Sequence, residues 1–133
     1  PWLPTTLFKS KINFYFLKCG FMLAVQTISS AWLLILVSGC LEILFSISLK
    51  YSDGFSKPIY SIVAIVSASL SLWLMSLSLK LIPIGTAYAV WAGIGAAGTA
   101  IVGLLMFGES ASMLRLMAIS MVIIGIVMLQ LFA

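Results

Sequence analysis

The chain alternates long apolar runs with short polar breaks, and nearly all of its charge sits in the breaks. No Asp, Glu, Lys or Arg occurs between Lys57 and Lys80, between Lys80 and Glu109, or after Arg115. These gaps of 18 to 28 residues match the ~20 apolar residues that a helix needs to cross a hydrocarbon core. A further run, Trp32 to Leu49, is equally apolar except for Glu42. Hydrocarbon offers no partner to backbone N–H and C=O groups, so a span must be a helix or part of a closed barrel, and the period-2 alternation of a barrel is absent. The pattern predicts an all-α membrane protein, a bundle of four transmembrane helices over about residues 31–49, 59–79, 84–107 and 113–131.

The breaks carry turn chemistry. Asp53-Gly54 turns the chain between the first two helices, and Pro58 stands where a helix starts. Pro83 separates the second helix from the third, and Gly108 to Ser112 separate the third from the fourth. None of these connectors is long enough for a soluble domain, so the function lies within residues 31–133, inside the membrane. Residues 1–30 read as an N-terminal extension without an assigned structure. Lys9, Lys11 and Lys18 flank and interrupt the apolar stretch Ile12 to Val25, with small residues after it. An upstream extension, a signal-peptide-like segment, an interfacial helix and a fifth span remain open, the last disfavoured by Lys18 and Gln26.

Composition excludes several classes. The chain is 63% hydrophobic and 8% charged, against roughly a quarter charged for a soluble domain. It has no histidine, and its two cysteines, Cys19 and Cys40, sit in apolar sequence. A metal site or a Cys–His nucleophile within one chain is therefore not expected, nor is any cofactor. The net charge of +4 suits anionic lipid headgroups, and no basic patch for nucleic acid exists. Gly93 to Gly98 formally match G-x-G-x-x-G, but that fingerprint needs a preceding strand and a βαβ unit, and here it lies within an apolar helix. The small residues read instead as helix packing. Gly85, Ala89, Gly93 and Ala97 recur every fourth residue, and Ala118 and Gly125 are a heptad apart.

Glu42 is the candidate functional group. It lies mid-way through the first predicted helix, where an ionised side chain costs several kcal/mol. Such a carboxyl faces a protein interior or a watery cavity, and it exchanges between binding a proton and binding a cation. That mutual exclusion is the logic of proton-coupled antiport. Ser38, Glu42 and Ser46 follow i, i+4, i+8 spacing on one face, with Gly39 and Phe45 flanking the carboxyl. Ser67, Ser71 and Ser78 mark the second helix. Tyr88 and Trp91 share a face of the third, where aromatic rings can hold a cation.

From Ser30 to Leu131 these motifs resemble the small multidrug resistance family. The resemblance is carried by Trp32 to Glu42, Leu49 to Phe55, Pro83 to Gly95 and Phe107 to Ser110. The chain is most similar to the guanidinium-exporter branch, through Gly39, the glycines from Gly93 to Gly98, and Gly-Glu-Ser110. The resemblance implies no enzyme but a proton-coupled antiporter of small organic cations, working by alternating access around paired Glu42 residues. It implies site-lining roles for Gly39, Phe45, Ser46, Ser71, Tyr88 and Trp91, with Ser71 matching a serine that hydrogen-bonds the carboxylate in that branch. Phe45 departs from the branch, which carries a tryptophan there as a hydrogen-bond donor, and the departure favours substituted guanidinium ions.

The family resemblance also implies an antiparallel, dual-topology homodimer in a bacterial inner membrane. Lys80 lies at one end of the predicted bundle, against Lys50, Lys57 and Arg115 at the other, a weak bias that is compatible with insertion in both orientations. Two further readings stand beside this one. One is a broader quaternary-ammonium or polyamine exporter, acting alone or as one subunit of a heterodimer. The other is a non-transporting membrane assembly protein in which Glu42 is silent.

Overall fold

The computed structural model describes residues 27–132. The extension, with Lys9, Lys11, Lys18 and Cys19, lies outside the described residues except for its last positions. The described residues form four helices and no strand: α1 (Ile28–Tyr51), α2 (Pro58–Ser78), α3 (Ile84–Met106) and α4 (Met113–Phe132). All four are long and apolar enough to span a membrane.

The ends of the helices follow local chemistry. The α1 helix starts three residues before the predicted 31 because Thr27 caps it, its side chain accepting from the Ser30 N–H. The same helix runs on to Tyr51, where Ser52 organises the turn into α2. The buried Ser52 hydroxyl donates to the Leu49 carbonyl at 2.7 Å and accepts the Phe55 N–H at 3.2 Å. Those bonds hold Asp53, Gly54 and Phe55 in consecutive left-handed conformations, which costs a non-glycine residue energy unless its surroundings enforce it. Pro58 occupies the first turn of α2, where its missing N–H removes no bond.

The core lies where α1 packs on α2 and α3. Ala31, Ile35, Met75, Ile82, Ala87, Val90 and Trp91 form its apolar part. The α1–α2 contact also buries Ser38, Ser67, Ser71 and Ser78. A membrane interior gives packing no hydrophobic bonus, so small residues that allow close approach and hydroxyls that bond their own or a neighbouring helix take its place.

Glycine governs the α1–α3 contact. A β-carbon on Gly39 would lie 2.7 Å from Ile94, and one on Gly95 would lie 2.6 Å from Glu42 Cγ. Gly98 receives the Ile43 side chain in the same way. On the other side of α3, Gly93 receives Ile126 of α4 at 2.9 Å. The G-x-G-x-x-G stretch thus serves two faces of one helix, Gly95 and Gly98 toward α1 and Gly93 toward α4. The predicted four-residue stripe divides for a geometric reason. A repeat of four overshoots the 3.6-residue turn, so successive members rotate around the helix. Gly85 and Gly125 have no atom near a would-be β-carbon, Ala89 and Ala118 are exposed, and Ala97 is buried. The α4 helix buries none of its residues in this single chain and packs mainly on α3.

The tight seat at Gly39 makes a stability prediction. Gly39→Ala places a methyl against Ile94 Cβ, which is not a flexible side-chain end, and is expected to destabilise the bundle by about 1–3 kcal/mol through overpacking. Gly85→Ala, with open space around it, serves as the neutral comparison. Thermal unfolding in mild detergent reads the difference, and equal melting of the two variants contradicts the packing assignment.

Candidate functional site

Glu42 reaches a cavity of about 560 Å³ along α3, shared with Ser46 of α1 and with Tyr88, Trp91, Gly95 and Thr99 of α3. Its side chain lies across Gly95, where any β-carbon would displace it. The carboxyl itself takes no hydrogen bond from the described residues. The i, i+4, i+8 stripe of α1 therefore has three distinct surroundings. Ser38 is buried against α2, Glu42 faces the cavity, and Ser46 bonds its own helix, donating to the Glu42 carbonyl at 3.0 Å.

Behind the cavity wall, one polar chain joins three helices. The Trp91 indole N–H donates to Ser71 Oγ at 2.9 Å. The Ser71 hydroxyl lies 2.8 Å from the Ser38 carbonyl, and the Ser38 hydroxyl 2.6 Å from the Ser71 carbonyl, with the two hydroxyl oxygens 3.2 Å apart. Ser71 is thus engaged with Ser38 and Trp91, and Glu42 is not among its partners. The indole is held with its ring at the cavity, and Tyr88 packs against it with ring centroids 5.4 Å apart and planes at 56°. Both aromatic side chains thus line the cavity that Glu42 reaches.

Of the residues singled out from sequence, Glu42, Ser46, Tyr88 and Trp91 share the cavity. Gly39 lies in the α1–α3 contact against Ile94, Ser71 sits behind Trp91, and Phe45 is half-buried on α1 away from the cavity lining. The far end of the cavity holds two residues that sequence reading passed over, Glu109 and Arg115. Their signal was available in the α3 spacing. The wall positions 88, 92, 95, 99 and the glycine at 103 form one helical face, and that face leads to the α3–α4 connector.

Glu109 is seated by the glycines around it. Gly108 is left-handed at φ 63°, and the Glu109 N–H donates to the Gly103 carbonyl at 3.2 Å. The carboxyl lies over Gly103, where a β-carbon would meet it. It pairs with Arg115 of α4, and Lys50 of α1 stands 3.7 Å away, its ammonium 3.9 Å above the Phe107 ring. The Arg115 hydrogen bond, then the charges of Arg115 and Lys50, hold the Glu109 carboxyl below the usual carboxylate range. The group is exposed, so these pairs add little stability and chiefly fix where the charges lie. The pairing also places the α1–α2 and α3–α4 connectors at the same end of the bundle.

Residues 30–129 match the family model described as Small Multidrug Resistance protein. The chain belongs to the small multidrug resistance family. Among its relatives, the guanidinium exporter of Yersinia pestis is 46% identical over 101 residues, covering 76% of this chain and 97% of the relative. The guanidinium exporter of Salmonella typhimurium is 45% identical over 103 residues, covering 77% and 98%. That of Proteus vulgaris is 45% identical over 101 residues, covering 76% and 97%. This member of the small multidrug resistance family is accordingly a multi-pass membrane transporter and not an enzyme.

The polar chain behind the cavity gives the second prediction. Ser71→Ala removes the acceptor of a buried indole N–H and is expected to cost about 1–3 kcal/mol. Ser46→Ala removes only a bond to its own helix and is expected to cost less. Paired thermal melts in one detergent test the order, and a reversal would show that the Trp91–Ser71 bond does not hold the wall.

Proposed function

We propose that the protein exports small organic cations, guanidinium or substituted guanidinium ions above all, in exchange for protons, in a bacterial inner membrane. The observation that carries this reading is the Glu42 carboxyl, placed mid-way along a membrane-spanning helix and opening on a cavity with Tyr88 and Trp91. The names of the relatives support the substrate class. Glu42 binds either a proton or the cation, and the cation carries its own charge compensation for a carboxylate in a low-dielectric site. A planar guanidinium pairs with a carboxylate along one edge, and its flat faces suit the tilted rings of Tyr88 and Trp91. Phe45 provides no N–H to Glu42, which leaves the carboxylate less constrained and extends the accepted class to substituted guanidinium ions.

Two copies, inserted in opposite orientations, share one site between their Glu42 residues. Protons from outside neutralise the carboxyls, a cation from the cytoplasm displaces the protons, and rocking of the dimer exposes the site to the other side. The α4 helix, with no buried residue in one chain, is the surface available to hold the dimer together.

Glu42→Gln keeps the side chain's shape and removes the exchangeable charge. Substrate-driven proton movement in liposomes holding the variant is expected to fall to background while the protein stays folded. Persisting coupled export would overturn the mechanism, and a wild-type protein that moves tetraalkylammonium but no guanidinium would turn the reading toward a multidrug exporter. The assembly has its own check. A tag at the C-terminus is expected to be accessible from both faces of vesicles made from intact cells. One-sided labelling would rule out dual insertion of this chain and point to a parallel dimer or a separate partner subunit.

A further inference from the structure

The α3 wall of the cavity is mostly glycine and alanine, and its hydrogen-bonding groups are few. Tyr88 lies near its start, the Trp91 N–H is committed to Ser71, and Thr99 supplies the remaining hydroxyl. Thr99 Oγ1 is buried and, alone among the buried side-chain polar atoms of the described residues, has no hydrogen-bond partner. Many hydroxyls in these helices satisfy themselves on the carbonyl one turn back, and Ser38 and Ser71 do so on each other's helix. Ser46, Ser67, Ser69 and Ser120 all bond one turn back, at 2.7–3.0 Å, as is common for hydroxyls in membrane helices. Thr99, on the cavity wall, does neither.

Its position gives the exception a meaning. Thr99 lies one turn beyond Gly95, the residue on which Glu42 rests, so the two contacts are offset by about 6 Å along α3. A guanidinium paired edge-on with Glu42 has its remaining N–H groups directed away from the carboxylate. In a site sheltered from water each of those donors requires an acceptor. Thr99 Oγ1 is covered in this conformation. Rotation about the Cα–Cβ bond exchanges the hydroxyl with the methyl group, and threonine in a helix has two such rotamers within reach.

We propose that Thr99 is a specificity-determining acceptor of this cavity, taking an N–H of the bound cation and so favouring guanidinium and primary ammonium ions over cations whose nitrogens are fully alkylated. The proposal rests on Glu42 being the cation-binding carboxylate. A fully alkylated cation offers only C–H groups to Thr99, leaving its hydroxyl unpartnered. Discrimination then comes from one hydrogen bond, which the charge on the cation strengthens.

The test compares guanidinium with hexamethylguanidinium, which keeps the planar charged core and has no N–H. Both are titrated directly into the purified full-length chain at fixed pH, for wild type, Thr99→Val, Thr99→Ala and Thr99→Ser. Guanidinium affinity is expected to fall roughly tenfold in the Val and Ala variants, the scale of one hydrogen bond to a charged group, and to recover in the Ser variant. The loss is expected to be larger for guanidinium than for hexamethylguanidinium. Val deletes an unpartnered polar atom at nearly constant volume, so its melting temperature is expected to equal or exceed that of wild type, and Ala gives a second, smaller side chain for the same comparison. Unchanged guanidinium affinity in Val and Ala, a Ser variant no better than Val, or equal losses for both cations overturns the proposal. Glu42→Gln separates the two levels. If that variant binds guanidinium as wild type does, the reading of Glu42 fails, whereas Glu42-dependent binding that ignores Thr99 sinks the role of Thr99 alone.

Discussion

The close approach of α1 to α3 is the constraint from which the rest of the site follows. A carboxyl can sit beside a neighbouring membrane helix only if that helix leaves room for it, and Gly95 leaves that room by having no side chain. Gly39 and Gly98 bring the two backbones together on either side of the same contact, taking Ile94 and Ile43. Close packing is the main attraction available between helices already surrounded by hydrocarbon. Here the packing that holds α1 to α3 and the seat that positions Glu42 are one set of contacts. Widening the crossing by a methyl group would therefore move the carboxyl and loosen the bundle together.

The Trp91–Ser71–Ser38 chain fixes the remaining degree of freedom. An indole is large, and its orientation beside a cavity matters because a cation is attracted to the ring's face and not to its edge. The hydrogen bond from its N–H to Ser71 sets that orientation, and the reciprocal bonds between Ser71 and Ser38 anchor it to α1 as well as α2. Three helices are thus tied through Trp91, which lines the cavity, and two serines behind it. Each of these polar atoms is buried, so each must keep its partner, and the network resists partial rearrangement.

The helices, their order and Glu42 were legible because they rest on one-dimensional signals. Charge-free runs of the right length define spans, and an acid in the middle of one stands out without any knowledge of neighbours. The glycines were recognised as packing residues, but their assignment to faces was not legible. Gly93 and Gly95 are two residues apart and turn to different helices, α4 and α1, and which helix lies on which side is a property of the fold. Ser71 shows the same limit. Its residue type and position marked it as important, while its partners, Ser38 and Trp91, depend on how far the α2 backbone stands from Glu42. Glu109 was missed because it lies in a connector and Arg115 because it lies in the first turn of α4, and loops that look like punctuation in sequence can be brought to a cavity by the helix that precedes them.

That connector explains how a helix with no buried residue is positioned at all. The α4 helix meets α3 through Ile126 and Val122 around Gly93, with Leu129 also packed against the core. At its near end Arg115 pairs with Glu109, which is itself fixed on Gly103 by backbone and side chain. An exposed ion pair contributes little free energy in water, yet geometry can be set by a weak interaction when nothing competes with it. Arg115 and Lys50 both come to Glu109 at this end of the bundle. Glu109 and Arg115 line the cavity at this end, and Glu42 lies farther along it beside Gly95.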